Sequence, residues 1–178
     1  MRFLAALLLV FASVHAAPIS ADVREDTRVD RRSALEVEIV RELNRVRIDR
    51  GLRPLRATPD LRTAARLHTK TMLDAGFFGH ESPDGTSFSD RVRRFYTNRG
   101  WRRWAVAETL LASTDTATDA RSVVSAWLGS PPHRAIVLDP VFRDVGVGAF
   151  HSPNAPGKYA GSDTVVVTAD FGLRTGKA

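Results

Sequence analysis

Val141-Phe-Arg-Asp-Val-Gly-Val-Gly-Ala-Phe150 and Asp163-Thr-Val-Val-Val-Thr-Ala-Asp-Phe171 are the two stretches on which the fold turns. Both read as strands, and Val165-Val166-Val167-Thr168 is a dense β-branched run. Pro153, Asn154, Gly157 and Gly161 punctuate His151 to Gly161, which predicts an exposed hairpin loop between the strands. Trp101 to Leu111 reads as a further extended segment. Upstream of it the pattern is helical. Ser33 is a candidate N-cap with Glu36 completing a capping box, followed by Leu35, Ile39, Leu43 and Val46 at helical spacing up to Gly51. Leu52 to Leu55 is an extended connector. Thr58 and Pro59 open a second helix with the stripe Leu61, Ala65, His68 and Met72, and Gly76 stops it. A short third helix is predicted over Ser87 to Phe95. Thr116 or Thr118 caps a fourth, with Ala120, Val123, Val124 and Trp127 on its apolar face. Pro131-Pro132 ends it and leaves His133 just beyond the terminus. Helices first and strands later make the class α+β, with helices covering a mainly antiparallel sheet.

The chain has 178 residues, 43% hydrophobic and 26% charged, enough for one domain with a core of its own. With no cysteine, disulfides, thiolate metal sites and a cysteine nucleophile are excluded. The formal net charge is +6, and of the 26 basic residues only Lys70, Lys158 and Lys177 are lysines. Arg91, Arg93, Arg94, Arg99, Arg102 and Arg103 interleave with Phe95, Tyr96, Trp101 and Trp104. That texture occurs in nucleic-acid binders. In an exported protein it reads instead as a solvated face or a contact with anionic envelope polymers, so no nucleic-acid partner is expected.

Export is what the N-terminus predicts. Met1-Arg2 is a short positive region, Phe3 to Val14 an apolar run, and Val14-His15-Ala16 a cleavage signal of the A-x-A kind. The cut is expected after Ala16, giving a signal peptide over 1–16 and a secreted or periplasmic mature chain with no transmembrane anchor. The run is shorter than the roughly 20 residues a membrane span needs. Residues 17–32 are polar and lack apolar periodicity, so a flexible leader is expected there, ahead of a domain over 33–174.

His80, Glu108 and His133 are the candidate chemistry. Each stands at the end of a predicted element, where side chains converge on clefts. Two imidazoles and a carboxylate suit a divalent cation such as Zn²⁺ with water completing the shell. The same set serves equally as a hydrogen-bonded acid–base pair, as an anchor for a polar ligand, or as helix caps. Their gaps match no compact metal motif. His68, on an apolar stripe, reads as a core histidine bonded to backbone. His151 reads as solvated. Ser82 lies near His80, yet no Gly-x-Ser-x-Gly elbow is present. Arg134 is expected to pair with Asp139 or Asp144.

Several separated motifs, in order, resemble a bacterial CAP (SCP-type) domain, of the superfamily of cysteine-rich secretory, antigen 5 and pathogenesis-related proteins. They are Leu43-Asn44-Arg45 with Gly51-Leu-Arg-Pro-Leu55, Ala64 to His68, Phe77-Phe-Gly-His80-Glu-Ser-Pro-Asp-Gly85 and Ala107-Glu108. Ala126-Trp-Leu-Gly-Ser-Pro-Pro-His133-Arg134, Phe142 to Gly148 and Thr168 to Gly172 complete the series. The resemblance implies an α-β-α sandwich with a surface cleft holding two histidines and two acidic residues. It places His80, Glu108 and His133 in three of those positions. The second carboxylate is absent, since the corresponding stretch is Gly129-Ser130-Pro131-Pro132. Gly and Asn, which flank the family's glutamate, are Ala107 and Thr109 here. The expected function is a non-enzymatic binding module whose cleft holds a divalent cation or a small ligand, a lipid or envelope component. Two alternatives stand beside it. One is a metal-dependent extracellular hydrolase with Glu108 as ligand or base. The other is an interaction protein docking on the envelope through its arginines.

Overall fold

The computed structural model describes residues 21–115 and 117–177, with side chains described from Ala34 onward; the predicted signal peptide lies outside the described residues. In chain order the elements are α1 (Ala21–Ile48), β1 (Arg56–Ala57), α2 (Pro59–Ala75), α3 (Phe88–Arg93) and β2 (Trp101–Ser113). Then follow α4 (Ala120–Gly129), α5 (Pro131–Val137), β3 (Asp144–Ala155), a 3₁₀ turn (Gly157–Tyr159) and β4 (Ser162–Lys177). The strands form one sheet in the order β1-β3-β4-β2, antiparallel except for the short parallel β1–β3 pair. Helices cover both faces, so the expected α-β-α sandwich is what the chain builds. Among the described residues no helix is long and apolar enough to cross a membrane.

One core joins α1, α4 and α5 to one face of the sheet. Ile39, Leu43, Val123 and Trp127 pack there on Val147, Val167 and Phe171. Trp127 is fully buried, and its indole N–H donates to the Leu110 carbonyl at 3.1 Å, fixing α4 against β2. The opposite face carries α2 and α3, through Leu61, Ala64, Val92 and Tyr96 and through Met72 and Leu73 beside Leu110 and Val166. Gly146 and Gly148 let α2 approach β3: a Cβ on Gly148 would stand 2.5 Å from the Arg66 Cα, and one on Gly146 would fall inside the backbone of Leu61 and Arg62. Asn44 clamps the connector by donating to the Leu55 carbonyl at 2.9 Å and accepting its N–H at 2.7 Å.

Four sequence expectations change. The first helix begins at Ala21, inside the segment read as a leader, rather than at Ser33. No Gly or Pro stands between Pro18 and Gly51 to end a helix, so propagation meets no breaker. Glu36 is therefore no capping residue, and it reaches across to Arg62, Arg66 and the Ala149 N–H. The cap of α4 is Asp119, in a reciprocal box with Ser122, not Thr116 or Thr118. Pro131-Pro132 do not simply end α4; they open α5, since proline is pre-organised for the first helical turn and lacks only an N–H that would go unpaired. His151 lies in β3, not in a loop, and its imidazole pairs with Asp163.

Candidate functional site

The site grows from the middle of β2. Glu108 is opposite Asp170 in the β2–β4 register, so the two carboxyl groups share the sheet face that α2 and α3 cover. The Glu108 side chain is fully buried, and both of its oxygens are engaged. Oε1 lies 2.8 Å from His80 Nδ1, and Oε2 accepts from Arg91 Nη2 at 2.5 Å. Charge-assisted bonds of this kind are about twice as strong as neutral ones. The turn carrying His80 is tied to the same cation: Arg91 Nη1 donates to the His80 carbonyl at 3.0 Å and reaches Ser82 Oγ at 3.3 Å. Ser82 thus serves Arg91, and no Ser–His pair forms.

His80 keeps half of its side chain exposed. With Nδ1 on Glu108, its Nε2 is the nitrogen left to meet a ligand. The edge of Phe88 stands against the ring, with centroids 6.5 Å apart. His133 sits in the first turn of α5, half-buried, with no hydrogen bond to the described residues. Burial, and then the charge of His80, push its pKa below the ordinary value, so it is neutral at neutral pH. His80 is bonded to Glu108, and His133 is within electrostatic reach of His80. Among the described residues, however, no three His, Cys, Asp or Glu side chains are arranged to hold a metal ion. Glu108 already carries a guanidinium and an imidazole, so the trio does not fit a three-ligand cation site.

Arg91, Asp170 and His68 belong to this site as well. The interleaved arginines predict a solvated basic face for Arg91; instead it is 5% exposed and locked to Glu108. A contrary signal is present in the sequence, because Phe88, Arg91, Val92 and Phe95 fall at helical spacing and place the guanidinium on the apolar side of α3. Asp170 is completely buried, and neither of its oxygens has a fixed partner. Burial first, and the neighbouring Glu108 charge second, raise its pKa well above the usual carboxylate range, against the pull of Arg91. A protonated Asp170 that donates toward Glu108 reconciles that shift with the absence of any other donor. His68 is the core histidine expected, with Nε2 2.9 Å from the Gly79 carbonyl and burial lowering its pKa. Arg134 makes no ion pair with Asp139 or Asp144; Asp144 is taken by Arg56 at 2.9 Å and by the Tyr96 hydroxyl at 2.6 Å.

Comparison with known proteins places this geometry. Residues 40–171 match the model of the cysteine-rich secretory protein family, CAP. The uncharacterized protein YkwD of Bacillus subtilis (strain 168) is 32% identical over 120 residues, which cover 67% of this chain and 44% of that protein. The chain therefore spans less than half the length of that relative. A solved extracellular protein containing a SCP domain, from Bacillus anthracis str. Ames, superposes with a TM-score of 0.67 at 22% identity, over 90% of this chain and 45% of that one. An outer surface protein from Borrelia burgdorferi gives a TM-score of 0.57 at 19% identity, over 86% of this chain and 96% of that one. At those identities the two structures speak for the fold.

Proposed function

The chain belongs to the cysteine-rich secretory protein (CAP) family, and from that premise we propose that it is an extracellular, non-enzymatic binding module that takes a small polar ligand on His80 and His133. The carrying observation is the occupation of Glu108. A fully buried carboxylate with Arg91 on one oxygen and His80 on the other is shut away from solvent water, so its role is to hold the His80 ring with Nε2 outward. An imidazole held by Glu108, with a second imidazole within electrostatic reach of it, offers two donor or acceptor sites, which suits recognition. The extracellular placement draws on the structural relatives, one an extracellular protein and one an outer surface protein.

The test is native purification of the full chain followed by ligand mass spectrometry and elemental analysis. A small organic molecule that co-purifies with the wild type, and is lost from His80→Ala and His133→Ala, is the expected result. Stoichiometric zinc lost from the same variants overturns this reading in favour of a cation site. Turnover of a peptide library, abolished by Glu108→Ala, overturns it in favour of a hydrolase.

A further inference from the structure

At the edge of the sheet, between α1 and the first turn of α2, a cavity of about 690 Å³ opens to solvent, lined by none of the residues of the His80 site. Its apolar wall includes Val37, Val40, Ala57 and Pro59. Arg41, Arg62 and Arg66 line it too, against Glu36 as the one carboxylate among its described lining residues. Glu36 is 2% exposed and already neutralised: Arg62 Nε donates to it at 2.9 Å, Arg66 Nη1 at 3.0 Å and the Ala149 N–H at 3.2 Å. Even with Arg62 left aside, Arg41 and Arg66 outnumber Glu36 among the described lining residues, so the cavity carries excess positive charge over an apolar wall, which suits an anion borne on an apolar body.

The backbone narrows the choice. β1 is two residues long, and after it the Thr58 N–H donates to the Val145 carbonyl at 3.0 Å. Two alternate positions further along β3, the Ala149 N–H is taken by Glu36. Strand groups alternate with period two, so Val147, midway between these residues and lining the cavity, turns its N–H and C=O to the same side. The lane that β1 vacates thus ends in a stretch of strand edge with no backbone partner among the described residues. Thr58 also lines the cavity, and its buried hydroxyl has no partner.

We propose that this cavity captures the free C-terminal end of an apolar peptide. The last residue pairs its backbone with Val147 in the lane beyond β1 and rests its side chain on Val37 and Val40. Its carboxylate meets Arg66 and, after rotation, the Thr58 hydroxyl. Edge-strand addition combined with carboxylate capture is a known mode of peptide recognition.

Fluorescence polarisation with the full chain tests this, using a labelled hexapeptide that ends in Val-Val as its free acid and as its C-terminal amide, with decanoate as competitor. The free acid is expected to saturate below about 1 mM. The amide is expected to bind about tenfold more weakly or worse, since a bond to a charged group is lost. Thr58→Val and Arg41→Gln should each weaken the acid several-fold with thermal melts unchanged, and His80→Ala should leave it as it is. Equal binding of acid and amide, no saturation, or displacement by decanoate at lower concentration than by unlabelled peptide each overturns the proposal; the last points to a fatty acid as the occupant.

Discussion

Glu108 has both oxygens engaged before any ligand arrives, and that makes it a structural liability as well as a positioning group. Glu108→Gln keeps the shape but leaves the Arg91 charge buried and unpaired, which costs about 3–5 kcal/mol. Urea unfolding measures it, and a loss below about 1 kcal/mol would show that the ion pair does not form in solution. Replacing both partners, Glu108→Leu with Arg91→Met, should cost less than the single change, because no charge is then stranded. Asp170 gives the pH signature. Its folded pKa is raised from the ordinary 3.8, so its contribution to stability is fully present below that value and is lost as pH rises through the elevated one. Asp170→Asn removes that loss. The variant should gain on the wild type in denaturation midpoint as pH is raised from about 4 to 8; parallel curves would show that the buried carboxyl does not titrate in this way.

At the scale of elements, two glycines decide how α2 sits on β3. Gly146→Ala puts a Cβ where the backbone of Leu61 and Arg62 already is, and neither helix nor strand can yield by turning a side chain. A loss on the order of 3 kcal/mol is expected by thermal or urea denaturation, with Gly51→Ala, whose Cβ meets nothing but whose φ is +70°, as a milder control. The start of α4 rests on the Asp119–Ser122 box, so Asp119→Ala should cost about 1 kcal/mol in the same assay. Sequence spacing foresaw α2 from its Thr58-Pro59 opening to its Gly76 stop, with the buried stripe as predicted. It misplaced the caps of α1 and α4, since several Ser, Thr and Asp residues compete for each position and the choice depends on which N–H groups the rest of the fold leaves bare.

Over the whole molecule, the two cores share one sheet. β4 lies between β3 and β2, with Phe171 on one face and Asp170 on the other, so neither layer can open without exposing the other. Urea unfolding followed by tryptophan fluorescence, in which the fully buried Trp127 reports on α4, is expected to coincide with loss of far-UV circular dichroism in a single transition. Separated midpoints would mean that the helical layers unfold independently.

Periodicity and punctuation in the sequence determined most of the elements and the α+β class, and singled out His80, Glu108 and His133 as polar candidates, although Glu108 lies inside β2 rather than at the end of an element. Such signals are local: they say which face of a helix or strand is apolar and where a chain must turn. What the tertiary structure alone decided is the company those residues keep. Asp170 meets Glu108 only because β2 and β4 pair in one register, and Arg91 reaches that carboxylate only because α3 packs over the same face. Long-range pairing fixes which charges are buried together, and that pairing engages both Glu108 oxygens inside the protein.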